Sequence, residues 1–134
     1  MKVLFVCTGN INRSAVADVI LSSEREGYQV KSCGTGVGAS RSQRMSAKMR
    51  RAADAHGYDG SQHRTTYVTQ ELVDWADVLV IMKKNNEVKM NKRIVRLGGK
   101  TEMWDVLDPF HQKEEETYGK VLEDIKEKVL RRFP

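Results

Sequence analysis

The chain has 134 residues, a formal net charge of +5 and two cysteines. That length suits one domain, residues 1–134, around one core. No apolar run approaches the roughly 18 residues of a membrane span, and two cysteines are too few for a disulfide scaffold, so we expect a reducing cytoplasm.

The opening Met1-Lys2-Val3-Leu4-Phe5-Val6 is too short for a secretory signal and lacks a small-residue cleavage site. It reads as a strand over about Lys2–Cys7. A polar loop follows, and a helix is expected from about Arg13 to Glu26, with Ala15, Val16, Val19, Ile20 and Ser23 on one face and Gly27 ending it. A second strand spans about Gln29–Ser32, with Cys33 as a core residue beside it. Gly34-Thr35-Gly36-Val37-Gly38 reads as a flexible loop, and a helix over about Ser42–His56 stops at Gly57. Thr69 has the character of an N-cap for a short helical turn starting near Leu72. Asp77–Met82 is a buried strand, Lys84–Lys92 a basic helix and Ile94–Leu97 a fourth strand. A last helix over about Lys113–Arg132 buries Tyr118, Val121, Leu122, Ile125 and Val129. Alternation at this spacing predicts an α/β fold: a four-stranded parallel sheet with helices on both faces and a phosphate-binding loop after the first strand. Ligands bind such sheets at the carboxyl ends of the strands, where Cys7 falls.

The run Cys7-Thr8-Gly9-Asn10-Ile11-Asn12-Arg13-Ser14 carries the chemistry. Five residues separate a thiol from a guanidinium, so a tight loop aims both at one small anion. Gly9 and Asn10 tolerate the positive φ that turns backbone N–H groups inward, forming an anion nest that leads into a helix N-terminus. Arg13 grips two phosphate oxygens with a planar fork that lysine lacks. The same field favours Cys7 as a thiolate nucleophile, and Ser14 is placed to hydrogen-bond the sulfur. The bland alternative is a buried structural cysteine at a strand end. It fails to explain strand, cysteine, Gly-Asn, Arg-Ser and helix occurring in that order.

The run resembles the low-molecular-weight protein tyrosine phosphatases. The similarity continues through Ala17-Asp18, where the family has Ala-Glu, then Ser32-Cys33-Gly34-Thr35, His56-Gly57, His63 and Asp108-Pro109-Phe110. The resemblance implies hydrolysis of phosphotyrosine through a phosphocysteine on Cys7, with no metal and no cofactor. Arg13 and the loop residues Thr8, Gly9, Asn10, Ile11 and Asn12 would hold the phosphate, and Asp108 would be the general acid, with Asp105 its rival. Asn10, Ser32 and His63 would brace the loop, while Ile11 and Phe110 would wall the cleft. His56 reads as a helix C-terminal residue. Four positions depart from the family: Asn12 replaces a protective cysteine, no aromatic follows Gly34-Thr35, His111 replaces an aromatic, and Lys83 replaces an acid.

The expected partner is a phosphotyrosine protein or a small aryl phosphate. Competing readings are a phosphatase for phosphoarginine or small phosphoesters, an arsenate reductase, and a phosphate-binding regulator without activity. Ile11 stands where the resemblance gives phosphoarginine enzymes a threonine, and arsenate reduction needs two relay cysteines where only Cys33 remains. Two basic clusters, Arg41, Arg44, Lys48, Arg50 and Arg51, then Lys83, Lys84, Lys89, Lys92 and Arg93, carry no nucleic-acid motif. They read as a solvated surface that attracts anionic phosphoesters rather than nucleic acid. The sequence leaves the physiological substrate and the oligomeric state open.

Overall fold

The computed structural model describes residues 1–93 and 97–134. Four parallel strands form the sheet: β1 (Lys2–Cys7), β2 (Gln29–Gly34), β3 (Val78–Ile81) and β4 (Thr101–Met103). Their order is β2-β1-β3-β4. The chain leaves β1 to one side for β2 and returns to the other for β3, so the ends of β1 and β3 border the crevice where such sheets bind ligands.

Among the described residues five helices cover both faces: α1 (Arg13–Glu24), α2 (Ala47–Ala55), α3 (Gln70–Trp75), α4 (Lys84–Arg93) and α5 (Glu116–Arg132). Side chains alternate along β1. Val3, Phe5 and Cys7 pack with α1, α2 and α5, around residues such as Ile20, Met49 and Leu122. Leu4 and Val6 pack on the opposite face with Cys33, Val73 of α3 and Met90 of α4. A sheet buried on both sides needs continuous apolar strands, which is the character of Val78-Leu79-Val80-Ile81.

α1 ends at Glu24 and α5 starts at Glu116, just inside their expected bounds, and three larger departures from the sequence reading follow. The loop expected at residues 34–38 is divided: Gly34 closes β2, and Val37–Arg41 form a 3-10 turn. α2 starts later than Ser42 because Ser42 is left-handed, at φ 50°, and Ser46 caps the helix by accepting from Met49 N. The fourth strand is Thr101–Met103. Of the expected Ile94–Leu97 strand, residues 94–96 lie outside the described residues, and Leu97 is in no strand. No helix among the described residues is long and apolar enough to cross a membrane.

Candidate active site

Cys7 ends β1, and the next five residues turn back into α1. Five of the loop's carbonyls are tied to neighbouring elements or to the first turn of α1. Cys7 O accepts from Thr35 N at 3.1 Å and Thr8 O from Gly36 N at 2.9 Å. Asn10 O accepts from His63 Nε2 at 2.6 Å, which fixes the proton on that nitrogen. Ile11 O accepts from Ser46 N at 3.0 Å, and Asn12 O from Val16 N at 2.9 Å. A trans peptide points its C=O and the following N–H in opposite directions. Anchoring these carbonyls outward therefore aims the N–H groups of Thr8, Gly9, Ile11, Asn12 and Arg13 into the concavity. The sixth, Asn10 N–H, donates to Cys7 Sγ at 3.3 Å.

Asn10 is left-handed at φ 57°, a conformation costly for a residue with a Cβ. Its side chain is fully spent in holding it there. Oδ1 accepts from Thr66 N at 2.8 Å, and Nδ2 donates to Ser14 Oγ at 2.8 Å and Ser32 Oγ at 3.0 Å. Ser14 Oγ lies 2.9 Å from Cys7 Sγ. Behind this network a second cavity of about 420 Å³ is bordered by Asp18, Ser32, His63 and Thr66. Burial pushes the Asp18 carboxyl up from 3.8 to about 6, against hydrogen bonds from Ser32 and Ser22 that pull it down. Burial also lowers His63, opposed by its bond to Asn10 and assisted by the nearby Arg64 charge.

Arg13 is buried, with Nη1 donating to Val106 O at 3.3 Å and Nη2 facing Asp108 Oδ2 at 3.3 Å. Asp108 Oδ1 accepts from Phe110 N at 3.0 Å, and Pro109 opens the 3-10 turn Pro109–His111. That turn sets the carboxyl over the loop. A cleft of about 360 Å³ results, with Cys7 and Arg13 at its base, Ile11 and Phe110 as apolar walls and Gln43 and His111 at the rim.

Eight of the residues singled out in the sequence line this cleft: Cys7, Thr8, Gly9, Ile11, Asn12, Arg13, Asp108 and Phe110. Asn10, Ser14, Ser32 and His63 brace the loop from behind. Asp105 faces elsewhere, paired with Lys83 at 3.0 Å. His56 hydrogen-bonds Ala52 O and Glu123 across α2 and α5, as a helix C-terminal residue does. Four contributors were given no role by the sequence reading. Gln43 supplies part of the rim. Ser46 ties down Ile11 O and donates to Asn12 Oδ1. Thr35 and Asn86 anchor the Cys7–Thr8 arm. Only Ser46 had a local signal, a serine before an apolar helical stretch.

Known proteins share this chain's family and fold. A family model described as low molecular weight phosphotyrosine protein phosphatase matches residues 2–133. The probable low molecular weight protein-tyrosine-phosphatase EpsP of Ralstonia nicotianae is 32% identical over 117 residues, covering 82% of this chain and 79% of that protein. A protein-arginine-phosphatase of Geobacillus stearothermophilus is 30% identical over 101 residues, covering 75% of this chain and 66% of that one. Among solved structures, Vibrio vulnificus Wzb in complex with benzylphosphonate shares the fold at a TM-score of 0.89 and 24% identity, covering 98% of this chain and 95% of that one.

Proposed function

The chain belongs to the low molecular weight phosphotyrosine protein phosphatase family, and from that premise we propose that it hydrolyses phosphotyrosine in proteins, or small aryl phosphates, through a phosphocysteine on Cys7. One observation carries this reading: a sulfur, a buried arginine and a carboxyl converge on one cleft whose floor is a ring of backbone donors. In the first step Cys7 Sγ attacks phosphorus in line. The S–P bond forms as the P–O ester bond breaks, and Asp108 gives its proton to the leaving oxygen. Arg13 and the inward N–H groups hold the three equatorial oxygens, whose charge they balance throughout. In the second step Asp108 takes a proton from water, the water oxygen bonds phosphorus, and the S–P bond breaks to return the thiolate. The Asn10 N–H and the Ser14 hydroxyl, both within hydrogen-bond reach of Sγ, favour that departure.

Ile11 and Phe110 present apolar surface to a flat aromatic leaving group, which supports tyrosine over the guanidinium of phosphoarginine. We place the protein in the cytoplasm, where phosphotyrosine proteins are found. The test compares kcat/KM on matched phosphotyrosine and phosphoarginine peptides, with Cys7→Ser alongside. Phosphotyrosine is expected to be the better substrate, and Cys7→Ser to lose turnover while still binding phosphate. Preferential turnover of phosphoarginine would replace the substrate assignment. Turnover surviving in Cys7→Ser would remove the mechanism.

A further inference from the structure

Asn86 lies in the first turn of α4, and its side chain is completely buried. Its Nδ2 donates to Thr8 Oγ1 at 3.0 Å and to Thr35 Oγ1 at 3.2 Å. Its Oδ1 is buried as well and accepts a hydrogen bond from no described residue. A buried acceptor without a donor is a cost to the fold, and asparagine is a poor helix former. Leucine would fill a similar volume with neither drawback. A residue that breaks two local rules while touching a ligand-binding loop is the pattern expected where function sets the choice.

We propose that Asn86 is a positioning residue for phosphate capture, acting through Thr8 on the first arm of the loop. The proposal rests on the phosphate-binding reading of the cleft. The second arm has its own braces, in the side chains that hold Asn10 and in Ser46. The first arm contains only Thr8 and Gly9, and glycine imposes no restraint on its own peptide. Thr8 is therefore the one side chain by which that arm is gripped. Its methyl lies against Gly36, where an added Cβ would come within 3.1 Å of Thr8 Cγ2. Its Oγ1 is gripped by Asn86. With methyl and hydroxyl both held, the rotamer is fixed, and the Gly9 N–H stays aimed at the phosphate. Thr35, the second hydroxyl bound by Asn86, donates its backbone N–H to Cys7 O, so one amide steadies both walls of the arm.

The test is a double-mutant cycle between Asn86→Ala and Thr8→Val, read as affinity for inorganic phosphate by calorimetry and as KM and kcat on an aryl phosphate. Each single change is expected to weaken phosphate about tenfold, the usual worth of one well-made hydrogen bond, with KM rising in step. The double variant should lose no more than Asn86→Ala alone, because Thr8→Val cuts a link that Asn86→Ala has already removed. Asn86→Leu repeats the experiment with the packing volume retained, and melting is measured for every variant. Phosphate affinity within twofold of wild type in folded Asn86→Ala or Asn86→Leu overturns the proposal. So do losses that multiply in the double variant. A wild-type protein that binds no phosphate overturns the reading of the cleft itself, and the role of Asn86 with it. Intact wild-type binding with unaffected variants removes the Asn86 assignment alone.

Discussion

Asp108 and Arg13 illustrate how much one contact decides. The two face each other at 3.3 Å, with Arg13 buried and Asp108 about one-third exposed (34%). The proposed acid thus rests against the guanidinium proposed to bind the phosphate. Asp108→Asn keeps the shape and the turn but removes the transferable proton. Turnover of phosphotyrosine should fall by about 10²–10⁴, the range for a lost general acid. Esters of strongly acidic phenols should lose much less, since those phenols leave without a proton. Steady-state kinetics on both substrates checks this, and equal losses would point to a binding role. Asp18 supports a second residue-level prediction. Its carboxyl titrates at about 6 in the fold against 3.8 when free, so the folded state binds the proton more tightly. That contribution is full below pH about 4 and is lost as pH rises through about 6. His63 has the opposite sign: lowered by burial, it stabilises above its ordinary 6.5 and loses that contribution as pH falls. The two groups border one cavity and act in opposite directions as pH changes. Asp18→Asn should therefore raise the melting temperature at pH 7 relative to wild type and leave a curve that climbs from pH 5 to 7. A parallel shift at every pH would contradict the assignment.

The elements show where sequence reading succeeds and where it runs out. β1, β3, α1 and α5 were readable because apolar periodicity specifies them: four consecutive buried residues in β3, and Tyr118, Val121, Leu122, Ile125 and Val129 along one face of α5. β4 was missed because it has three residues, Thr101–Met103, with two polar members and no periodicity to read. Cys7 and Arg13 were readable because the five residues between them suit a phosphate loop, and Asp108 was readable only through the family resemblance. Asn86 was not, because an asparagine among Lys83-Lys84-Asn85-Asn86-Glu87 looks like solvent-facing helix until α4 is packed beside β3, with Asn86 against Thr8 and Thr35. Strand register also answers a question the sequence left open. Val6 pairs with Cys33 and Cys7 with Gly34. Paired residues share a face, so Cys33 projects with Val6 and away from Cys7. Burial also pushes the Cys33 thiol far up, leaving it a poor partner for exchange. Peroxide should therefore convert Cys7 to sulfenic and then irreversible acids, with no Cys7–Cys33 disulfide in the mass spectrum. Asn12→Cys should restore recovery by dithiol, though with lower starting activity, because Asn12 Oδ1 anchors the loop to Ser46. A Cys7–Cys33 disulfide after mild peroxide, fully rescued by reductant, would refute the register argument.

At the scale of the molecule, charge is distributed unevenly about the cleft. From Gly27 to Ala53 the chain carries Lys31, Arg41, Arg44, Lys48, Arg50 and Arg51 and no carboxylate. Gln43, in the middle of that segment, forms part of the cleft rim. Across the cleft, Asp108 precedes Glu114-Glu115-Glu116, and Arg51 already meets Glu115 across α2 and the start of α5. The side of Arg41 and Arg44 is thus the more positive one, next to the pocket proposed to take a phosphate dianion. Charges spaced along a surface act over about 8–10 Å at moderate salt, so they attract an approaching substrate before any contact forms. A phosphopeptide with acidic residues beside its phosphotyrosine should gain from this field, and a small aryl phosphate, with no flanking charge, should gain less. Raising ionic strength should accordingly reduce kcat/KM for the acidic peptide more steeply than for the aryl phosphate, chiefly through KM. Arg41→Glu with Arg44→Glu should flatten the peptide's salt dependence. Identical salt slopes for peptide and aryl phosphate would mean that the field at the phosphate loop, set by Arg13 and the backbone donors, accounts for all the attraction and that the basic segment serves solubility alone.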